Sequence, residues 1–162
     1  MKEIKPPALY KLMGYLEAFG DCIRKSELKW YFEVRLFEFE DIYPSVQVLV
    51  KDAYPGSFPE TAEIKELSIY ELGQALKREL RVESNEPGLL NIVQLVTGFQ
   101  GEVLDYLNEC LNFEGVGARI NEYQAAEQLD EFGSGGITAD FAAVVVDDKQ
   151  HRCLFLSGGD SD

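Results

Sequence analysis

Residues 30–40 read WYFEVRLFEFE and carry the strongest strand signal in the chain. One side of an extended chain would hold four apolar residues at every second position: Trp30, Phe32, Val34 and Leu36. The other side begins polar but ends with Phe37 and Phe39. This pattern predicts a strand that has either a bulge in its middle or both faces covered. We expect most aromatic residues between 30 and 43 to be core, whereas on an open face they would be anchors of a protein interface.

Three further elements are expected around this strand. Pro6-Pro7 precedes apolar residues at helical spacing, which predicts a helix over about residues 7–25. Alternating valines at 46, 48 and 50 predict a second strand over residues 44–51. Residues 61–67 are expected to form a third, edge-like strand.

The middle of the chain reads as helical. Ser68 and Glu71 have the spacing of a capping box, in which each side chain binds a backbone N–H at a helix start. Apolar residues at helical spacing predict a helix over 102–111. Ile120, Tyr123, Ala126 and Leu129 predict another.

The C-terminal part returns to a strand pattern. Residues 137–147 and 152–157 predict two strands joined by the polar turn 148–150, and the glycine-containing segment 158–162 is expected to fray. We therefore predict one α+β domain over residues 1–162. Its mainly antiparallel sheet would have about four or five strands, two or three near the N-terminus and two at the C-terminus, packed with about four or five helices.

The net charge of the 162-residue chain is −14 at neutral pH. A surface this negative repels phosphate backbones and anionic lipids, which argues against direct binding to nucleic acids or membranes. The charge is also uneven, because residues 82–162 hold fifteen carboxylates but only three basic side chains. Such asymmetry indicates a charged partner, although acidity also occurs merely for solubility.

The leading hypothesis is a non-catalytic protein that binds a basic protein surface, such as that of a nucleic-acid-processing enzyme or toxin. It would act as an inhibitor, an immunity factor or a nucleic-acid mimic. The binding residues are expected on the polar sides of the two predicted acidic helices: Glu102, Asp105, Glu109, Glu122, Glu127, Asp130 and Glu131.

An alternative is a Mg²⁺-dependent nuclease or phosphohydrolase. Asp52 is followed by Glu63-Ile64-Lys65, the spacing in which two carboxylates hold a metal and a lysine assists the attacking water. An E-x-K tripeptide is common in an acidic chain, and alternating charges also suit an exposed edge strand.

Cys22, Cys110 and Cys153 are an odd number of cysteines without C-x-x-C spacing, and His151 is the only histidine. A disulfide framework or a zinc site is therefore not expected, and we predict no cofactor. The sequence has neither a signal-peptide pattern nor an apolar run that would span a membrane. These features predict a cytoplasmic protein.

Overall fold

A computed structural model describes residues 1–22, 29–55, 64–68, 70–72, 101–111, 119–123 and 141–161. A helical turn also occurs at 70–72. The helices and strands are β1 (Lys2–Ile4), α1 (Pro7–Cys22), β2 (Lys29–Glu38), α2 (Val46–Ala53), β3 (Ile64–Leu67), α3 (described over 101–111), β4 (Arg119–Tyr123), β5 (Phe141–Asp147) and β6 (Arg152–Ser161). None of the helices in these ranges is long and apolar enough to cross a bilayer.

The strands form one sheet in the order β1-β2-β6-β5-β4-β3, and every neighbouring pair is antiparallel. The predicted α+β fold is therefore confirmed, and the described ranges hold six strands where about four or five were predicted. The C-terminal hairpin lies in the middle of the sheet, because β6 pairs with β2 on one side and with β5 on the other.

Both faces of the sheet are covered. Side chains that alternate along β2, β5 and β6 contribute to two separate apolar clusters. One cluster joins the sheet to α1 and α3, and the other joins it to α2. Residues 30–40 therefore had two apolar sides because β2 has two covered faces, with Leu36 in the first cluster and Phe37 in the second. The pairing register between β2 and β6 is continuous, so the bulge alternative is wrong.

The predicted strand over 44–51 is wrong, because α2 occupies most of it. Ser45 has an extended backbone, and its side chain accepts a hydrogen bond from Val48 N at 3.3 Å, which caps the helix. The buried residues follow helical spacing: Val46, Leu49, Val50 and Ala53. Three alternating valines fit either period, and packing against the sheet selects the helix.

Two further predictions are wrong in the C-terminal part. Residues 119–123 form β4 rather than the start of a helix, because pairing with β3 and β5 satisfies the backbone on both sides. The rest of that predicted helix lies outside the described residues. The expected frayed tail is paired from Gly158 to Ser161, where β6 continues along the first four residues of β2.

The capping box and the edge strand are confirmed. Ser68 N donates to Glu71 Oε2 at 2.7 Å, and Glu71 N donates to Ser68 Oγ at 3.2 Å. Hydrogen bonding to the Ser68 backbone lowers the pKa of Glu71 below its usual value. β3 lies at the edge of the sheet that the structure describes, as expected for the strand predicted over 61–67, of which residues 61–63 lie outside the described residues.

Candidate functional site

Helix α3 presents three of the predicted partner-binding carboxylates to solvent. Glu102, Asp105 and Glu109 are exposed. The opposite side of α3 consists of residues that are at most 1% exposed: Val103, Leu107, Cys110 and Leu111. Glu109 forms an ion pair with Lys11 Nζ at 3.0 Å, and both side chains are about half exposed, so the pair contributes little to stability.

The other predicted partner-binding residues do not form a second acidic helix in the described structure. Glu122 lies on β4, where it pairs in register with Lys65 of β3 and with Ala143 of β5. Glu127, Asp130 and Glu131 lie outside the described residues. Of the predicted partner-binding residues, those that share one exposed surface in the described structure are therefore the three on α3.

The residues of the nuclease hypothesis are not brought together where the structure describes them. Asp52 lies on α2, and its Oδ2 is 3.7 Å from the amino nitrogen of Met1, beside the β1 edge of the sheet. Lys65 lies on β3, at the opposite edge, roughly 20 Å or more away at about 4.8 Å per strand. Its neighbour Ile64 packs on the α2 side, so Lys65 alternates to the other face. Glu63 lies outside the described residues.

A groove with a volume of about 560 Å³ opens beside α2, and we call it the α2 groove. Its walls come from the start of the chain, the end of β2, the loop that follows, α2 and the β5–β6 turn. Four carboxylates line it: Glu38, Glu40, Asp41 and Asp52. Lys2 is the lysine among its lining residues. The groove is therefore acidic. Its volume is in the range of small-molecule pockets.

The four carboxylates of the α2 groove differ in their pairing. Glu38 binds Arg152 Nη2 at 3.1 Å, and Asp52 faces the amino nitrogen of Met1. Glu40 and Asp41 are exposed and form no ion pair with another described residue. Their negative charge is therefore available to an incoming cation.

Two arginines fix α2 and thereby the groove. Arg35 Nη1 donates to Ala53 O at 2.9 Å, at the C-terminal end of α2. Its guanidinium also binds Glu3, at 3.2 Å for the closer pair, and this hydrogen bond lowers the pKa of Glu3. Arg35 lies over the rings of Phe37 and Tyr54 at 4.8 and 5.1 Å. These contacts hold the C-terminal end of α2 to β1 and β2.

The second arginine fixes the loop that leads into α2. Arg119 Nη2 donates to Pro44 O at 3.0 Å. Arg119 also forms a bidentate pair with Asp148, with distances of 2.6 and 2.7 Å. The Asp148 side chain is only 9% exposed, and a bidentate pair in such a setting restrains both partners. The loop before α2 is thus tied to β4 and to the β5–β6 turn.

The loop between β2 and α2 exposes two large apolar side chains. Ile42 is 80% exposed and Tyr43 is 73% exposed. Tyr43 also has a φ of 54°, a left-handed conformation that non-glycine residues adopt at a cost. On its β2 side, Phe39 N donates to His151 O at 2.9 Å, and the two rings lie 5.7 Å apart. The loop conformation is therefore fixed by its neighbours rather than by burial of Ile42 or Tyr43.

The loop was not predicted as a site from the sequence. The concentration of aromatic residues between 30 and 43 was its one signal, and these residues were expected to be mostly core. Phe37 and Phe39 are core, but Tyr43 is not.

The two described thiols, Cys110 and Cys153, are free and buried, and burial raises their pKa values to about 11 and about 12.

In the described ranges, no group of three or more His, Cys, Asp or Glu side chains is arranged to hold a metal ion. The α2 groove with its loop and the acidic side of α3 are thus the candidate sites. Both are surfaces suited to contact with another molecule.

Comparison with known proteins adds no assignment, because no protein-family model matches the chain and no curated protein is significantly similar to it.

Proposed function

We propose that this chain is a cytoplasmic, non-catalytic interaction protein whose acidic surface binds a basic protein. It acts as an inhibitor, an immunity factor or a nucleic-acid mimic, and the bound protein is a nucleic-acid-processing enzyme or a toxin. The observation that carries the proposal is the row of exposed carboxylates on α3: Glu102, Asp105 and Glu109.

The packing of α3 supports this role. Because its apolar side is buried against the sheet and α1, the three carboxylates keep a fixed spacing. Carboxylates that stand close together repel one another, and a cationic partner relieves this repulsion. The net charge of −14 adds a long-range field that accelerates encounter with a basic protein.

The chemistry of the described thiols supports a binding role over a nucleophilic one. Cys110 and Cys153 are at most 1% exposed, and their raised pKa values keep them protonated near neutral pH. A protonated thiol is a poor nucleophile. Two free, buried thiols are also compatible with a reducing compartment.

The test begins with capture from the native host lysate, with the tagged protein as bait and elution at rising salt concentration. The captured basic protein is then purified, and its association rate with the bait is measured by stopped-flow fluorescence. The key variant carries Asp105→Lys together with Glu109→Lys. Two single variants form the matched comparison, because each reverses one exposed carboxylate: Asp105→Lys on α3 and the control Glu66→Lys on β3.

We expect the α3 double variant to associate about tenfold more slowly at low salt, with the difference shrinking as salt rises. The Glu66→Lys control should change the rate much less, because its charge lies on β3 and away from α3. An association rate that is the same for the α3 variant and the wild type at low salt contradicts the proposal. Equal effects of Asp105→Lys and Glu66→Lys, which change the net charge by the same amount, would assign the steering to net charge and not to α3.

A further inference from the structure

The loop and the helix that border the α2 groove expose three apolar side chains, and we call them the loop patch: Ile42, Tyr43 and Val48. Ile42 and Tyr43 lie between Asp41 and Pro44, two residues that line the groove, and Val48 lines it from the first turns of α2. Their exposures are 80%, 73% and 45%. Folding thus leaves a large aliphatic and a large aromatic side chain in water within one short loop, which is the composition of an interface anchor.

The loop patch is held in place before any partner arrives. Arg119 binds Pro44 O directly after Tyr43, and Ser45 caps α2. At the other side of the loop, Phe39 is hydrogen-bonded to His151. A surface fixed in this way loses little conformational entropy on binding, so more of the contact free energy appears as affinity.

Charge selects the occupant. Glu40 and Asp41 are exposed directly before the loop patch and are not paired with another described residue. Glu38 and Asp52 also line the groove, where Arg152 and the amino group of Met1 already lie beside them. A second copy of this chain, with its own net charge of −14, would be repelled. A partner segment in which lysine or arginine flanks an apolar side chain can pack on the loop patch and pair with the carboxylates.

We propose that the loop patch and the α2 groove form the docking site for a basic segment of the partner protein. This segment places an apolar side chain on Ile42 and Tyr43. The lysine or arginine side chains that flank it lie beside Glu40 and Asp41. This inference rests on the proposed function and names the part of the surface that gives the complex its affinity. The α3 carboxylates then govern the rate of encounter.

Arg152 connects the two surfaces. Its Nη2 binds Glu38 of the α2 groove at 3.1 Å, and its Nη1 donates to Cys110 O near the end of α3 at 3.4 Å. The groove and the C-terminal end of α3 therefore meet at the same end of the sheet. Because α3 and α2 pack on opposite faces of the sheet, a partner that contacts both surfaces has to reach around this end of the sheet.

The direct test uses a defined probe, a short capped peptide that alternates lysine and leucine, and a second peptide in which serine replaces leucine. Binding to the ¹⁵N-labelled full chain is followed by NMR chemical-shift changes. The test variant carries Ile42→Ser and Tyr43→Asn, because asparagine tolerates a positive φ and both native side chains are exposed. The matched control is Tyr10→Ser, which removes a tyrosine that is 57% exposed on α1.

We expect the lysine–leucine peptide to shift amides of the loop and of the first turns of α2, and the lysine–serine peptide to bind about tenfold more weakly. The Ile42→Ser/Tyr43→Asn variant should lose about tenfold in affinity, and Tyr10→Ser should lose none. Shifts confined to α3, or equal affinity of the test variant and the wild type, would overturn the docking site.

Capture from the host lysate separates this inference from the proposed function. If the wild type and the Ile42→Ser/Tyr43→Asn bait capture the same amount of a basic protein, the docking site is wrong and the proposed function stands. If neither bait captures a basic protein while the peptide binds at the loop, the proposed function is wrong and the docking site for basic segments stands.

Discussion

Single side chains place the α2 groove. Arg35 and Arg119 each join a carboxylate to a backbone carbonyl at one end of α2, at distances of 2.9 Å to Ala53 O and 3.0 Å to Pro44 O. Neither carbonyl acceptor can be predicted from the sequence, because every residue has a backbone carbonyl oxygen. The arginines and carboxylates were visible in the sequence, but their pairing depends on contacts between distant segments. Asp148, for example, is 29 residues from Arg119.

Burial of single thiols gives a testable prediction. In a Cys22→Ser variant, the two remaining thiols are Cys110 and Cys153, which are 1% and 0% exposed. Burial raises their pKa values to about 11 and about 12, so neither thiolate nor access is available near pH 8. We expect no reaction of the native variant with Ellman's reagent and release of two equivalents after unfolding in guanidinium. Rapid reaction of either thiol in the native variant would contradict its described burial.

Residues 46–53 form the helix α2 because of tertiary packing, although their local pattern predicted a strand. Valines at 46, 48 and 50 alternate as a strand would, yet Val48 is 45% exposed whereas Val50 is 1% exposed. Ser45 caps α2, but a strand over 44–51 was predicted from the valines, and a cap at Ser45 was not considered. β4 was misread for the same reason, because Ile120 and Tyr123 fit helical spacing until β3 and β5 pair with the segment.

Substitution of these valines tests the helix. Val50→Ala removes two buried methyl groups and should lower the free energy of unfolding by about 2 kcal/mol. Val48→Ala should lower it by less than about 0.5 kcal/mol, because that side chain is half exposed. Urea denaturation monitored by circular dichroism measures both. Equal losses in the free energy of unfolding would indicate that both valines are buried on one side, as in the strand predicted over 44–51.

The order of the strands is a property of the whole molecule. β6 lies between β2 and β5, so the last described residues of the chain occupy the centre of the sheet rather than its edge. Gly158 and Gly159 carry no side chain that would mark them as packed, and they were expected to fray. Their backbone is nevertheless paired with Phe32 and Tyr31 of β2.

Truncation tests this position in the sheet. A chain that ends at Ser157 loses the backbone hydrogen bonds between 158–161 and the first part of β2. We expect the free energy of unfolding to fall by about 2 kcal/mol or more, since several backbone hydrogen bonds are lost and the start of β2 loses a neighbour. The matched control replaces residues 158–161 with alanine, which keeps the backbone. A truncated chain as stable as the full chain would mean that this segment does not pair.

Local sequence pattern was sufficient for the features that depend on neighbouring residues. These are the α+β class, the strand β2, the capping box at Ser68 and the amphipathic helix α3 with its exposed carboxylates, whereas the choice between a bulge and two covered faces for β2 needed the structure. Only tertiary structure decided the rest: the helical state of 46–53, the strand at 119–123, the pairing of 158–161 and the assembly of the α2 groove. Each of these depends on hydrogen bonds and packing between segments far apart in the chain, and a local pattern carries no record of which segments will meet.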